Sequence, residues 1–399
     1  MWFKLFYLAF FLSQLFYGEV YVGIFTPRQI MTLAMFFYCV VSKNLRFDKY
    51  VILYFIFISF FGLSSWISGF ALQFVRVVLG FYFVAYVGYC ATRALVEEYD
   101  GENWLLYCIV IIGLVNSIVV IGQYYGFSFA TQIKSFLGIE QSEFYASVIE
   151  DEIEGVALPG LFTHAVVNGY FCCLSTIAVL FLSKEIKGVF VIFLWSINFL
   201  ALYCVQQRMA LGVALVFSAY VMFRELRTAR GYYRNVAIFF FILALIGGLI
   251  GLGSVIQSSA TRYALGLDPT GRTGLFRSAW QYIYLHPILG GFFDFSRTGM
   301  KAHNIFLNCF LYGGLFGGIA VLVLLFQQLK ACFFALNNKV SSSAPASFIY
   351  ATLFLSLVMN SIVHNASVVT GDVNTWIMWG ALISLLSSKK YVYQKNCSV

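Results

Sequence analysis

Charge is what this sequence has least of. Of its 399 residues, 11% are charged and 61% are hydrophobic, where an average soluble domain is about a quarter charged. With 44 Phe, 26 Tyr and 7 Trp, it holds more apolar surface than one soluble core could bury. In water such a chain would expose large apolar patches and aggregate. The scarcity of charge excludes nucleic-acid binders, soluble dehydrogenases and secreted disulfide scaffolds.

Other signals are missing too. No HExxH, CxxC, Walker or GxSxG pattern occurs, and the Asp and Glu residues form no evident metal cage. Neither a metal nor a cofactor is expected. Of the nine cysteines, Cys39, Cys90, Cys108, Cys172, Cys173, Cys204 and Cys309 lie in apolar runs. Cys332 and Cys397 fall in segments assigned to the cytoplasm. With no pair in an outer loop, no structural disulfide is expected. No small-residue cleavage site follows the first apolar run, which reads as a retained span. Nor is there the long-period repeat that many transporters carry.

What is present is apolar sequence from end to end, with a mean hydropathy of +0.84. At about 20 residues per span the chain predicts an all-α polytopic membrane protein, a single integral membrane domain over 1–399. Twelve spans are expected, near 4–23, 28–42, 50–69, 71–92, 104–125, 161–183, 187–205, 208–223, 235–254, 304–328, 347–364 and 374–388. With both termini cytoplasmic, 16 of the 25 Lys and Arg fall inside, Arg93 and the Arg224–Arg234 cluster among them, as the positive-inside rule requires.

Two long segments then face outward. One, 126–160, is acidic, with Glu140, Glu143, Glu150, Asp151, Glu152 and Glu154. The other, 254–303, carries Arg262, Arg272, Arg277, Arg297 and Lys301. Loops of that length usually serve a function, and an external active site is the expectation.

The second loop is the richer. Asp268-Pro269-Thr270-Gly271 is a turn signal. From Thr273 to His286 the chain predicts a helix with Phe276, Ala279, Trp280 and Ile283 on one face, stopped by Pro287 and Gly290-Gly291. Such a helix lies on the membrane surface or caps the bundle. Arg272 stands at its N-terminus, where free N–H groups favour an anion, and a guanidinium there suits a phosphate. Arg272 and Arg277 can equally contact lipid headgroups.

His303 opens the next span beside Asn304, one turn before Asn308. An imidazole titrates near neutral pH and suits proton transfer at a sugar hydroxyl or a leaving oxygen; a helix-end His also serves as a cap. Arg208 lies at a tight outer junction between two spans, a functional candidate or a snorkelling side chain. Arg76, inside a span, can hold a phosphate or pair with Glu19. His164 and Asn168 share a helical face and either shape a sugar pocket or make a polar helix contact.

In order along the chain, these features resemble the bacterial O-antigen polymerase and O-antigen ligase superfamily. The carriers are Arg208, then Gly271-Arg272 through Trp280 to Pro287, then His303-Asn304 with Gly313-Gly314-Leu315-Phe316-Gly317-Gly318. The Pro159-Gly160-Leu161-Phe162 to Asn168-Gly169 stretch adds to them, so the resemblance spans roughly 158–325. It implies a fold of about twelve helices with a periplasmic loop domain, in the inner membrane. It also implies metal-independent glycosyl transfer from a sugar chain on undecaprenyl diphosphate. Arg208, Arg272 and His303 would be the catalytic residues: the two arginines grip the diphosphate, and His303 activates the acceptor hydroxyl or orients the diphosphate. Arg277, Arg76, Asn304, His164 and Asn168 are further candidates for substrate binding. Membrane lipid and, for a polymerase, a chain-length regulator are the implied partners.

The motifs do not separate the two activities. A ligase hands the finished chain to the strongly anionic lipid A-core, which a basic outer face would recruit. Here the outward segments hold eight basic residues against ten acids, and Arg272 is close in sequence to His303; both points favour the polymerase. A flippase for lipid-linked sugars would need polar residues along a path through the bilayer, and Arg76 is the one deep charge.

Overall fold

The computed structural model describes residues 1–14, 26–136, 158, 160–162, 165–205, 207–228, 238, 242, 246, 273–297, 302, 304–337, 346–362 and 369–387. Every regular element among them is helical. Five helices are long and apolar enough to cross a membrane, from 18 to 33 residues, and six shorter apolar ones accompany them. The chain is a multi-pass helical membrane protein. It divides into two compact units: residues 1–35, 99–255 and 341–344, and residues 36–98, 256–340 and 345–399.

The first unit contains α1 (Trp2–Ser13), the start of α2 (Pro27–Val41), α6 (Glu102–Tyr124), α7 (Ser128–Phe136), α8 (Ala165–Leu180), α9 (Gly188–Val205) and α10 (Arg208–Thr228). Its centre is α8, which packs against α6, α9 and α10. Cys172, Cys173, Leu174, Ser175, Thr176, Ile177, Ala178 and Val179 are buried to a residue. That fits a helix apolar on every face. Close approach comes from small residues, as membrane helix pairs require: a methyl group at Gly113 of α6 would overlap the Ser175 side chain. Helix α7 opens the acidic loop and was not expected there; Ala130 packs with Val119 and Leu161.

The second unit holds α3 (Lys49–Ile67), α4 (Ala71–Val77), α5 (Phe83–Tyr99), α11 (Thr273–Leu285), α12 (Phe292–Ser296), α13 (Ile305–Asn337), α14 (Ala346–Ser361) and α15 (Val373–Ser387). Helix α3 packs along α13, and α14 pairs with both α13 and α15. Tyr54 and Trp376 have ring centroids 4.3 Å apart, Tyr50 and Trp379 4.9 Å. A π-helical turn at Val78–Tyr82 joins α4 to α5. There Tyr82 donates to the Val369 carbonyl at 2.8 Å.

Two boundaries differ from the sequence reading. The 71–92 span continues to Tyr99, so Arg93 is helical rather than in a loop. Its guanidinium bonds Asp48 at 2.8 Å and Glu97 at 2.6 Å. Asp48 in turn caps α3 by accepting from the Tyr50 and Val51 amides. Paired charges let the helix run past its apolar stretch. The span expected at 304–328 runs to Asn337, and Cys332 is buried within it rather than in a loop. That helix is also broken at Gly314 (φ 58°, ψ −157°). The part after the break has the length of a bilayer core, roughly 30 Å at 1.5 Å per residue. In α11 the face expected to hold Ala279 and Trp280 together is divided, with Trp280 exposed and Ala279 buried. The buried side is Ala279, flanked by Tyr282 and Ile283.

Candidate functional site

Two stretches of irregular backbone are fixed inside the helix packing, and both fall in the motifs singled out in the sequence. In the first unit the chain enters α8 through Leu158 and Gly160–Phe162, all buried. Away from water every backbone polar group needs a partner, and carboxamides supply them. Gln123 of α6 pairs with Gly160 on both edges, donating to its carbonyl at 3.1 Å and accepting its N–H at 3.0 Å. Asn116 accepts from the Leu161 amide at 2.9 Å. Asn168 donates to the Leu158 carbonyl and accepts from Asn116, both at 2.7 Å. Gly160 has φ +59°, and a methyl group there would lie 2.4 Å from the Asn116 oxygen, so glycine is required twice over. Next to Asn116, Ser117 donates to Asn198, as does Ser175 of α8, both at 2.9 Å.

In the second unit the turn after α11 docks against the break in α13. Gly314 occupies a backbone region open essentially to glycine alone. A methyl group on it would meet the Ile288 carbonyl oxygen at 2.1 Å. The break frees the Leu315 amide, which donates to the Pro287 carbonyl at 2.8 Å. Gly290 (φ +78°) comes as close from the other side: a methyl there would lie 2.4 Å from the Leu311 carbonyl. Ser64, in the last turn of α3, donates to the Gly290 carbonyl at 3.1 Å. The first part of α13 carries Leu307, Leu311 and Tyr312 into a cluster with Ala279, Phe295 and Ala302. His286 lies 3.4 Å from Asp294, which is 3.8 Å from Arg297, and Arg297 covers the Phe70 ring at 4.5 Å.

Among the expected site residues, Asn168 is buried with both ends of its amide engaged by the protein. Asn304 caps α13, accepting from the Phe306 and Leu307 amides at 2.9 and 3.0 Å, and donates to the Ile362 carbonyl at 3.1 Å. Its role there is to fix the helix start next to His303. Arg277 on α11 and Arg76 on α4 are exposed. Arg208 is the first residue of α10. Arg272, His303 and His164 lie outside the described residues, as does the side chain of Arg208.

The sequence reading passed over Asn116, Gln123 and Arg28. Gly113, Asn116 and Gln123 recur at three- and seven-residue intervals on α6, a polar stripe on one helical face that was there to be read. Arg28, 7% exposed, is the second residue of α2, whose start is held by a reciprocal cap: Gln29 accepts from the Thr26 amide at 2.9 Å and donates its own amide to the Thr26 hydroxyl at 3.3 Å. A buried guanidinium in an apolar helix is a functional candidate. Among the described residues no group of three His, Cys, Asp or Glu is placed to hold a metal ion. Comparison with family models, curated proteins and solved structures finds no match to this chain.

Proposed function

We propose that this chain is an O-antigen polymerase of the bacterial inner membrane. In this reading it has about twelve spans with both termini in the cytoplasm. At the periplasmic face it joins oligosaccharide repeat units carried on undecaprenyl diphosphate, by metal-independent glycosyl transfer. The observation that carries this reading is the interlock of two stretches that resemble the superfamily. The first stretch meets the second where Pro287, at its end, accepts from the Leu315 amide, and the Ile288–Gly291 turn that follows packs against Leu311 and Gly314 of the His303-to-Gly318 stretch. Such backbone complementarity supports treating them as one functional element.

The acceptor hydroxyl attacks the anomeric carbon of the donor, and the carbon–oxygen bond to the diphosphate breaks. Undecaprenyl diphosphate departs with its charge stabilised by Arg208 and Arg272, the kind of electrostatic contribution that is commonly the largest in catalysis. His303 takes the acceptor proton, with Asn304 holding the helix start beside it. Arg277 and Arg76 are secondary phosphate contacts. Asn168 acts by positioning the chain that enters α8, four residues after His164.

The near balance of acid and base on the outward segments favours polymerase over ligase. A lipopolysaccharide gel from the host lacking this gene separates the two. Loss of the ladder with one repeat left on the core is the expected result. Loss of all O-antigen from the core, with polymer accumulating on the carrier, means ligase, and an unchanged ladder removes the reading altogether.

A further inference from the structure

We infer that the outer face of α11 and the Pro287-Ile288 turn form a shelf seated in the lipid interface of the membrane, with the C-terminal half of α11 immersed and Arg277 at the level of the headgroup phosphates.

One side of α11 is already covered: Ala279, Tyr282 and Ile283 pack against Phe292, Phe295, Leu307 and Leu311. The other side is open, and its chemistry changes along its length. Its first half presents Gly274 and Arg277. Its second half presents Trp280 (61% exposed), Tyr284 (81%) and Leu285, with Gln281 as the one exposed polar residue among them, and the turn adds Ile288. This is a largely apolar, aromatic-rich stripe at helical spacing, of the kind that marks an interaction surface.

The depth of that stripe is fixed from the other end. The turn it leads into is bonded through Gly290 to Ser64, in the last turn of a 19-residue helix long and apolar enough to cross the bilayer. The same end of that helix exposes Trp66 and Ile67, and the following helix exposes Leu72. The stripe is therefore continuous with the edge of a membrane-spanning surface, where exposed Trp and Tyr concentrate. An amphipathic helix with aromatics below and a basic residue above is the pattern of an interfacial helix. The inference is independent of glycosyl transfer.

Its test compares wild type with Trp280→Phe in phosphatidylcholine–phosphatidylglycerol vesicles whose acyl chains carry bromine. The fluorescence contributed by Trp280 is the difference between the two proteins. Loss of most of that emission to the brominated chains, with little loss to aqueous iodide, is expected. Quenching by iodide alone overturns the inference. A photoactivatable benzoylphenylalanine at position 284 gives a second readout: cross-linking to lipid supports the shelf, and cross-linking to another protein chain overturns it.

Discussion

The amide of Leu315 donates to the carbonyl of Pro287 at 2.8 Å, and this bond joins the break in a membrane-length helix to the turn that follows α11. A broken helix in an apolar setting leaves backbone groups without partners unless something packed against it supplies them. Here the supplier is a short loop whose own glycine makes room for the approach. The two glycines, Gly290 and Gly314, are thus explained by each other.

Replacing Gly314 by Ala should cost about 3–5 kcal/mol, combining a backbone region closed to other residues with a methyl group forced into a neighbouring carbonyl. Gly212→Ala is the control, since nothing lies within 4 Å of the added carbon; in mid-helix it should be neutral or stabilise by about 0.5–1 kcal/mol. The eight described cysteines are free and buried, so a thiol-reactive dye reads the melting of both variants directly. Equal melting temperatures would show that the break is not held as described.

Gln123→Ala strips Gly160 of partners for both its N–H and its C=O. Buried orphaned groups cost about 1–3 kcal/mol, more than the average interhelical bond in a membrane, about 0.6 kcal/mol. A marked drop in melting temperature is expected. Asn168→Ala should likewise lower stability. If Asn168 is a positioning residue, activity per folded molecule should fall without a change in KM for the lipid-linked substrate. A selective rise in KM would instead place Asn168 in contact with that substrate.

Arg93→Ala removes the cation that Asp48 and Glu97 share; Glu97 keeps Arg46 at 2.6 Å, and Asp48 loses its arginine. The three side chains are 12–25% exposed, so the loss should be below that of a fully buried pair, about 1–3 kcal/mol. Arg93→Lys should recover only part of it, because one ammonium cannot reproduce the fork that reaches both carboxylates. Chemical denaturation of the three proteins in one detergent measures the series; full recovery by lysine would contradict the forked geometry.

Much of the helical layout was legible from hydropathy alone, because apolar runs of bilayer length have few other solutions. What was not legible depended on tertiary partners. Arg93 looked like the end of a span until Asp48 and Glu97 neutralised it. The Gly313-Gly314 pair lay inside what read as one unbroken span, yet Gly314 breaks the helix, which the docked Pro287–Gly291 turn makes tolerable. Trp280 fitted the same helical period as Ala279, but periodicity alone cannot tell which of two apolar neighbours packs against the rest of the protein. The carboxamides of α6 were readable as a stripe, though their target, Gly160, lies on a turn that no periodicity announces.

The central claim is sugar transfer between lipid-linked repeat units at a site that depends on Arg272 and His303. The most direct measurement supplies purified protein in vesicles with undecaprenyl-diphosphate-linked repeat units and no lipid A-core, and follows product length. Chains of two and more repeats from wild type, lost in both Arg272→Ala and His303→Ala proteins that melt normally, are the predicted result. No elongation by wild type, or elongation that survives either substitution, would contradict the account.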